Sequence, residues 1–225
     1  MYSQITIDGP SGVGKSTLAK SLSKTLGYLY VNTGLIFRGI AWYLDKYQIP
    51  DNSINYAITD IAKHKNFVFE NNTWFLNGES ISPEELKTKH ITKKASTIAA
   101  IASIRNYVQL IEKEIASKNN IVMEGRDIGS KVFPNAILKI YLTASIETRS
   151  ERRYTELKQT NMLENRTIED IKLEIEQRDS ADSKRELDPL TKPNDAIEIN
   201  SDGRTIEDIA EEIKNILLTR QQILQ

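Results

Sequence analysis

Apolar residues in this chain follow two alternating rhythms. Short runs made up mostly of apolar residues occur at Ile5-Thr6-Ile7, Tyr28-Leu29-Tyr30-Val31, Ile121-Val122-Met123, Leu138 to Leu142 and Ala196 to Ile199. Their length and β-branched content suit strands buried on both faces. Between the runs, apolar positions recur every three or four residues, from Leu18 to Leu26, Leu35 to Lys46 and Thr205 to Leu218. In the last segment Ile206, Ile209, Ile213, Ile216 and Leu217 form one helical stripe, which reads as core. The first strand is expected over Ser3 to Asp8, and the first helix is expected to stop at Gly27, a residue suited to the left-handed turn after a helix. Strand alternating with helix predicts an α/β fold, a three-layer sandwich around a parallel sheet.

Three stretches interrupt this rhythm. From Asn66 to Ile81 short β-type runs are separated by the tight-turn pairs Asn71-Asn72 and Asn77-Gly78, which predicts a small antiparallel meander inserted into the core. From Thr88 to Lys118 the spacing of Ile98, Ile101, Ile104, Val108, Ile111 and Ile115 is helical. From Arg149 to Arg185 the pattern is helical again, dense in both signs of charge.

Composition narrows the function classes. Thirty Lys and Arg stand against 31 Asp and Glu, a net charge of −1, without the basic excess of a nucleic-acid binder. There is no cysteine, so disulfides and thiolate metal sites are excluded, which fits a cytoplasmic protein. The two histidines, His64 and His90, sit among polar neighbours and read as surface residues. No apolar stretch has the length needed to span a bilayer, and Tyr2-Ser3-Gln4 leads straight into the first strand, so no membrane partner is expected.

The segment Gly9-Pro10-Ser11-Gly12-Val13-Gly14-Lys15-Ser16 meets every fixed position of the phosphate-binding loop pattern, between a strand and a helix. Glycines let backbone N–H groups wrap a phosphate closely, and the helix start adds positive potential on the same anion. Gly9 to Thr17 are therefore the expected ATP-binding residues, with Lys15 on the terminal phosphates and the Ser16 hydroxyl on Mg²⁺.

The loop alone leaves the reaction open. No Asn-Lys-x-Asp guanine-reading motif and no His-Arg-Asp or Asp-Phe-Gly kinase motif is present. Arginines are abundant instead. Arg149, Arg152 and Arg153 fall on one helical face, and Arg178, Asp182 and Arg185 on another, although interspersed glutamates could make these ordinary surface pairs. Phosphoryl transfer between two anions uses fixed positive charge, Mg²⁺ and exclusion of water. A phosphate monoester acceptor is mostly a dianion at neutral pH and calls for no general base. At this point another small-acceptor kinase (for UMP, dTMP or shikimate) and a non-catalytic ATP-binding regulator remain alternatives.

Longer motifs carry a resemblance. Ile7 to Gly12, Asn32-Thr33-Gly34-Leu35-Ile36-Phe37-Arg38, Glu124-Gly125-Arg126-Asp127-Ile128-Gly129, Arg178-Asp179-Ser180-Ala181-Asp182, Asp188-Pro189-Leu190 and Asp195-Ala196-Ile197 have the order and spacing of bacterial cytidylate kinases. The chain resembles that branch of the nucleoside monophosphate kinases along nearly its whole length. Two positions differ: Asn32 and Glu124 each stand where the family usually has Asp. The resemblance implies ATP as donor, CMP or dCMP as acceptor, Mg²⁺ and direct phosphoryl transfer; the sequence is silent on oligomeric state, and a monomer is the expectation. It implies a core over 1–32, 119–148 and 179–225, an acceptor-binding region over 33–118 with an antiparallel insertion near 60–95, and a short helical lid over 149–178. It implies that Arg38 and Arg126 hold the acceptor phosphate, that Ser96, Arg105 and Asp127 read cytosine, and that Arg178 and Asp182 contact the sugar beside Thr33. Lys15, Arg126, Arg153 and Arg185 are the residues expected to serve catalysis. Ser96 and Arg105 are nine residues apart and would face opposite ways on one straight helix, so a break between about Ala99 and Ser103 is expected.

Overall fold

The structure, a computed structural model, describes residues 2–64 and 66–223. Among these, five strands form a wholly parallel sheet: β1 (Gln4–Asp8), β2 (Leu29–Asn32), β6 (Ile121–Glu124), β7 (Leu138–Thr143) and β8 (Ile197–Asn200), in the order β2-β6-β1-β7-β8. Burial on both faces explains why these strands are mostly apolar. In β6, Val122 faces the core beneath α1 (Lys15–Leu26) and α9 (Ile206–Ile223), while Ile121 and Met123 face the opposite core. β1 lies centrally with β6 and β7 on either side, so the loop leaving its carboxyl end enters the crevice where α/β sheets bind ligands.

Several element boundaries differ from the sequence reading by a residue or two for local reasons, while α1 begins three residues before Leu18 and α9 runs five residues beyond Leu218. Tyr28 spends its N–H on Ser23 O (3.0 Å) to close α1, so β2 starts at Leu29. Ala196 closes a turn onto Pro193 O (3.1 Å), so β8 starts at Ile197. The Asn32 side chain accepts from Leu35 N (3.1 Å), which lets α2 (Thr33–Lys46) begin two residues earlier than expected.

The expected meander is present as β3 (Phe67–Glu70), β4 (Thr73–Leu76) and β5 (Glu79–Ser80). Its turns put Asn71, Asn72, Asn77 and Gly78 at positive φ, as tight hairpins demand. The sheet packs on α2 through Trp74, which is fully buried, stacks on Phe67 at 4.0 Å and donates to Leu35 O at 2.9 Å. Any side chain at Gly39 would collide with that indole, since a Cβ would lie 2.0 Å from Nε1. At the hairpin tip Asn72 donates to Tyr30 O (2.6 Å) and accepts from Asn32 N (2.8 Å). Its amide thus satisfies the outer edge of β2, where the sheet ends.

Helices α3 (Ile54–His64) and α4 (Pro83–Lys87) flank the meander and were not foreseen from the sequence. The long helical stretch is two helices, α5 (Lys89–Ile98) and α6 (Ala102–Ala116), broken over residues 99–101 as expected. Helices α7 (Ile146–Gln159) and α8 (Ile168–Lys184) form a hairpin with its own small core of Leu157, Ile171 and Ile175. His90 is exposed and pairs with Asp45 at 2.8 Å, while the surroundings of the His64 side chain lie outside the described residues. No described helix is long and apolar enough to cross a membrane.

Candidate active site

The loop after β1 owes its shape to glycine at two points. Gly9 has φ of 147°, and a Cβ there would sit 2.1 Å from Leu142 O on the neighbouring strand. Gly14 caps α1 in the left-handed conformation at φ 97°. Ser11, Gly12, Gly14, Lys15, Ser16 and Thr17 line a cavity of about 1080 Å³. Gly9, Pro10 and Val13 do not line it. The first two turn their carbonyls to Lys15 Nζ (2.8 and 2.6 Å), and Val13 is buried in the core under α1.

Positive charge gathers around this cavity from four elements. Arg38 on α2 is held through Nε by Gly34 O (3.0 Å), and Arg126 after β6 by Asp182 Oδ2 (2.8 Å). Arg153 on α7 pairs with Glu156 (2.8 Å), and Arg178 on α8 has a buried Nε with no partner. Crowding and burial act on the same groups. Burial first, then Arg126 and Arg178, hold the Lys15 ammonium well below its ordinary pKa, against the pull of Glu124 and Asp8. Burial first, then Arg126, bring Arg178 down to about 10, with Asp182 opposing.

The Arg149, Arg152 and Arg153 face divides by task. Arg149 donates to Ser11 O (3.1 Å) and pairs with Asp179, whose other oxygen accepts from Ser11 N (2.8 Å). Arg152 donates to Ser201 O (2.8 Å) and Oγ (2.9 Å). Both fasten the phosphate loop to the helical hairpin and to the segment after β8, and Arg153 is left as the one with an acidic surface partner. The two positions that depart from the family pattern are joined by a phenol: Asn32 Nδ2 donates to Tyr30 Oη (3.0 Å), which donates to Glu124 Oε1 (2.9 Å).

A smaller pocket of about 60 Å³ adjoins the cavity, with Thr33, Ser96, Asp127, Asp182 and Arg185 in its wall. Asp127 Oδ2 accepts from Arg105 Nη2, and Oδ1 accepts from Arg185 Nη2 at 3.0 Å. Arg105 Nε donates to Asp188 Oδ2 (2.7 Å), and Arg185 Nε donates to Asp188 O (2.7 Å). The helix break is explained here. Arg105 Nη1 donates to Ala99 O (3.0 Å), a carbonyl that the end of α5 leaves free, so neither proline nor glycine is needed. Ser96 therefore reaches the pocket from α5, while Arg105, which is not among the lining residues, reaches Asp127 from α6. Arg185 lines the small pocket and is absent from the wall of the large one.

Two buried carboxyls support this floor. Asp8 accepts from Ile128 N (3.0 Å) and Gly129 N (2.7 Å), fixing the turn that presents Arg126 and Asp127; burial, opposed by those two bonds, raises its pKa to about 6. Glu112 on α6 accepts from Thr33 Oγ1 (2.6 Å), and burial pushes its pKa up to about 8, with Thr33 opposing and Asp127 adding. Glu112 carries no signal in the sequence reading, Asn72 is read there as a turn residue alone, and Asp179 only as part of the motif from Arg178 to Asp182. Glu112 lies at a helical position facing inward among apolar neighbours, and that mismatch is the one clue available.

With this geometry in hand, comparison with known proteins is decisive. The family model described as cytidylate kinase matches residues 5–219. The chain belongs to the cytidylate kinase family. It is 40% identical over 223 residues to the cytidylate kinase of Fervidobacterium nodosum, covering 99% of this chain and 100% of that protein. It is also 40% identical over 209 residues to the cytidylate kinase of Clostridioides difficile, covering 93% and 95%. An uncharacterized protein from Eubacterium ventriosum, solved by crystallography, aligns with a TM-score of 0.50 at 11% identity, covering 97% of this chain and 99% of that one, and shares the fold.

Proposed function

We propose that this cytidylate kinase family member transfers the terminal phosphoryl group of ATP to CMP or dCMP, yielding CDP or dCDP. The observation that carries the reading is convergence: Lys15, Arg38, Arg126, Arg153 and Arg178 wall one cavity, and the Asp127 pocket opens beside it. In this reading the loop from Gly9 to Thr17 holds the ATP phosphates, and Lys15 and Arg153 meet the charge that develops during transfer. Arg38 and Arg126 hold the acceptor phosphate. Arg178 and Asp182 lie toward the sugar, with Thr33 at the start of α2 beside them.

Asp127 accepts from the cytosine amino group while Arg105 and Ser96 serve the acceptor edge. Uracil would set an oxygen against the Asp127 carboxylate, so it is rejected by repulsion as well as by a lost bond. Arg185 orients Asp127. An acceptor that arrives as a dianion needs no base.

Mg²⁺ fits this wall. The Ser16 hydroxyl and the Glu124 carboxylate are oxygen donors on the same cavity, and a hard cation takes few protein ligands when phosphates and water supply the rest. When bound it neutralises phosphate charge. Residues 33–118 act as the acceptor-binding region and 149–178 as a lid that excludes water. The protein works on small nucleotides as a cytoplasmic monomer, without nucleic acid or membrane.

The test is a steady-state assay of ATP with CMP, dCMP, UMP, dTMP and shikimate. Diphosphate product with CMP and dCMP well above the others is expected. Equal turnover of UMP or dTMP, or no diphosphate from any monophosphate, overturns the reading.

A further inference from the structure

We propose that Asp188 is the positioning residue of the acceptor-base pocket, holding Arg105 and Arg185 in place at the same time so that Asp127 presents a fixed edge to cytosine. The inference rests on the reading of that pocket as the cytosine site. Asp188 lines neither the cavity nor the pocket, so it acts through its partners.

The four residues form a closed ring. Asp127 takes one arginine on each carboxylate oxygen, and Asp188 takes the same two arginines by different groups: its Oδ2 accepts from Arg105 Nε (2.7 Å) and its backbone oxygen from Arg185 Nε (2.7 Å). Arg105 is 4% exposed, and its Nε, Nη1 and Nη2 each have a protein acceptor. One N–H on each terminal nitrogen is left over, which suits two acceptors on one edge of a planar base. Without the Asp188 carboxylate, Nε would be buried without a partner and the guanidinium could turn about its own axis. The other groups facing Asp188 are weaker holds: Lys131 Nζ at 3.4 Å is more than half exposed, and Gln109 Nε2 is at 3.5 Å.

The backbone suits the role. Asp188 has φ of 47°, a left-handed conformation that Asp tolerates and Gly adopts freely, and Leu190 N closes the loop onto Asp182 O (2.9 Å). Asp188→Gly therefore deletes the carboxylate while keeping the backbone bond to Arg185 and relieving strain. Asp188→Asn keeps a neutral acceptor at the same place. Loss of a charge-assisted bond predicts that Asp188→Gly raises KM for CMP about tenfold to a hundredfold, and that Asp188→Asn falls between it and wild type. The KM for ATP should stay within about twofold of wild type, and the preference for CMP over UMP should fall in the same order. In an Arg105→Met background, Asp188→Gly should add no further loss.

An unchanged CMP KM and CMP:UMP ratio in Asp188→Gly, with the wild type selecting CMP, overturns the role of Asp188 alone. Parallel rises in the KM of CMP and ATP in both variants, with a lowered melting temperature, reduce Asp188 to a loop tether and also overturn it. A wild type that does not select CMP over UMP removes the reading of the pocket and this inference with it.

Discussion

At the phosphate end of the site, Lys15 and Arg38 donate to backbone carbonyls and the Nε of Arg178 has no partner, while Arg126 and Arg153 each keep a single carboxylate, Asp182 and Glu156. At the base end, Arg105 and Arg185 are each bonded to Asp127 and Asp188 before any ligand arrives. The contrast follows from what each end receives. Polyphosphate brings its own negative charge, so cations left short of counter-charge give the incoming anion its full attraction. Burial first, then the neighbouring Arg126, hold the pKa values of Lys15 and Arg178 down until then. A nucleobase is neutral and supplies nothing to balance a buried guanidinium, so the protein balances it in advance and uses the arginines for orientation.

Mutations at the phosphate end should therefore cost the most. Lys15→Ala or Arg126→Ala is expected to lower kcat by roughly a thousandfold or more with CMP. Near-wild-type turnover of either variant would break the contrast outright.

Beneath the base end, protonation of Glu112 is expected to matter next. Its folded pKa of about 8 lies above the ordinary 4.5, so the folded chain holds this proton more tightly than the unfolded chain. The stability it contributes is whole below about 4.5 and is lost as pH climbs through 8. Thr33, Asp127, Arg105 and Asp8 are the groups that face it. Glu112→Gln should flatten this loss, so that the unfolding free energies of variant and wild type diverge by on the order of a few kcal/mol between acid and pH 8.5, read as diverging melting temperatures. Parallel melting curves across that range would contradict a buried neutral carboxyl.

Asp127→Ala should erode the preference for CMP over UMP by roughly 1–3 kcal/mol while leaving the KM for ATP unchanged. A shift in ATP affinity of the same size would show that the two ends are not separable.

The smallest effect is expected at the meander tip. Asn72→Ala should cost about 1 kcal/mol of stability, from two hydrogen bonds at the edge of β2, and little kcat. A large fall in kcat would tie the insertion to the chemistry and blur the division between the ends.

The same division governs what could be read from the chain. The phosphate loop is contiguous: glycine positions, a preceding apolar run and a following helix are local facts, and the structure places Ser11, Gly12 and Gly14 to Thr17 on the cavity as the spacing implies. The meander was legible because its two turns require residues tolerant of positive φ, and Asn71, Asn72, Asn77 and Gly78 are such residues. The base end joins α6, the turn after β6, and the loop after α8, elements far apart in sequence. Its residues were recognisable through family motifs, while their mutual bonds were not. The shared helical face of Arg149, Arg152 and Arg153 likewise hid three different partners. Helix α4 escaped because it is barely one turn long, whereas α3 carries Ile54, Ala57, Ile58 and Ile61 at helical spacing and was legible in the sequence.

By itself, then, the amino-acid order determined the parallel α/β scaffold, the anion-binding turn and the hairpin insertion. All three depend on residue type at short range: apolar period, glycine geometry and turn chemistry. Only the folded chain decided which arginines are left for a polyanion and which are locked to Asp127 and Asp188, or that Glu112 is buried against Thr33. Charge pairing depends on distance through space, and neighbours such as Arg105 and Asp188 stand 83 residues apart along the chain.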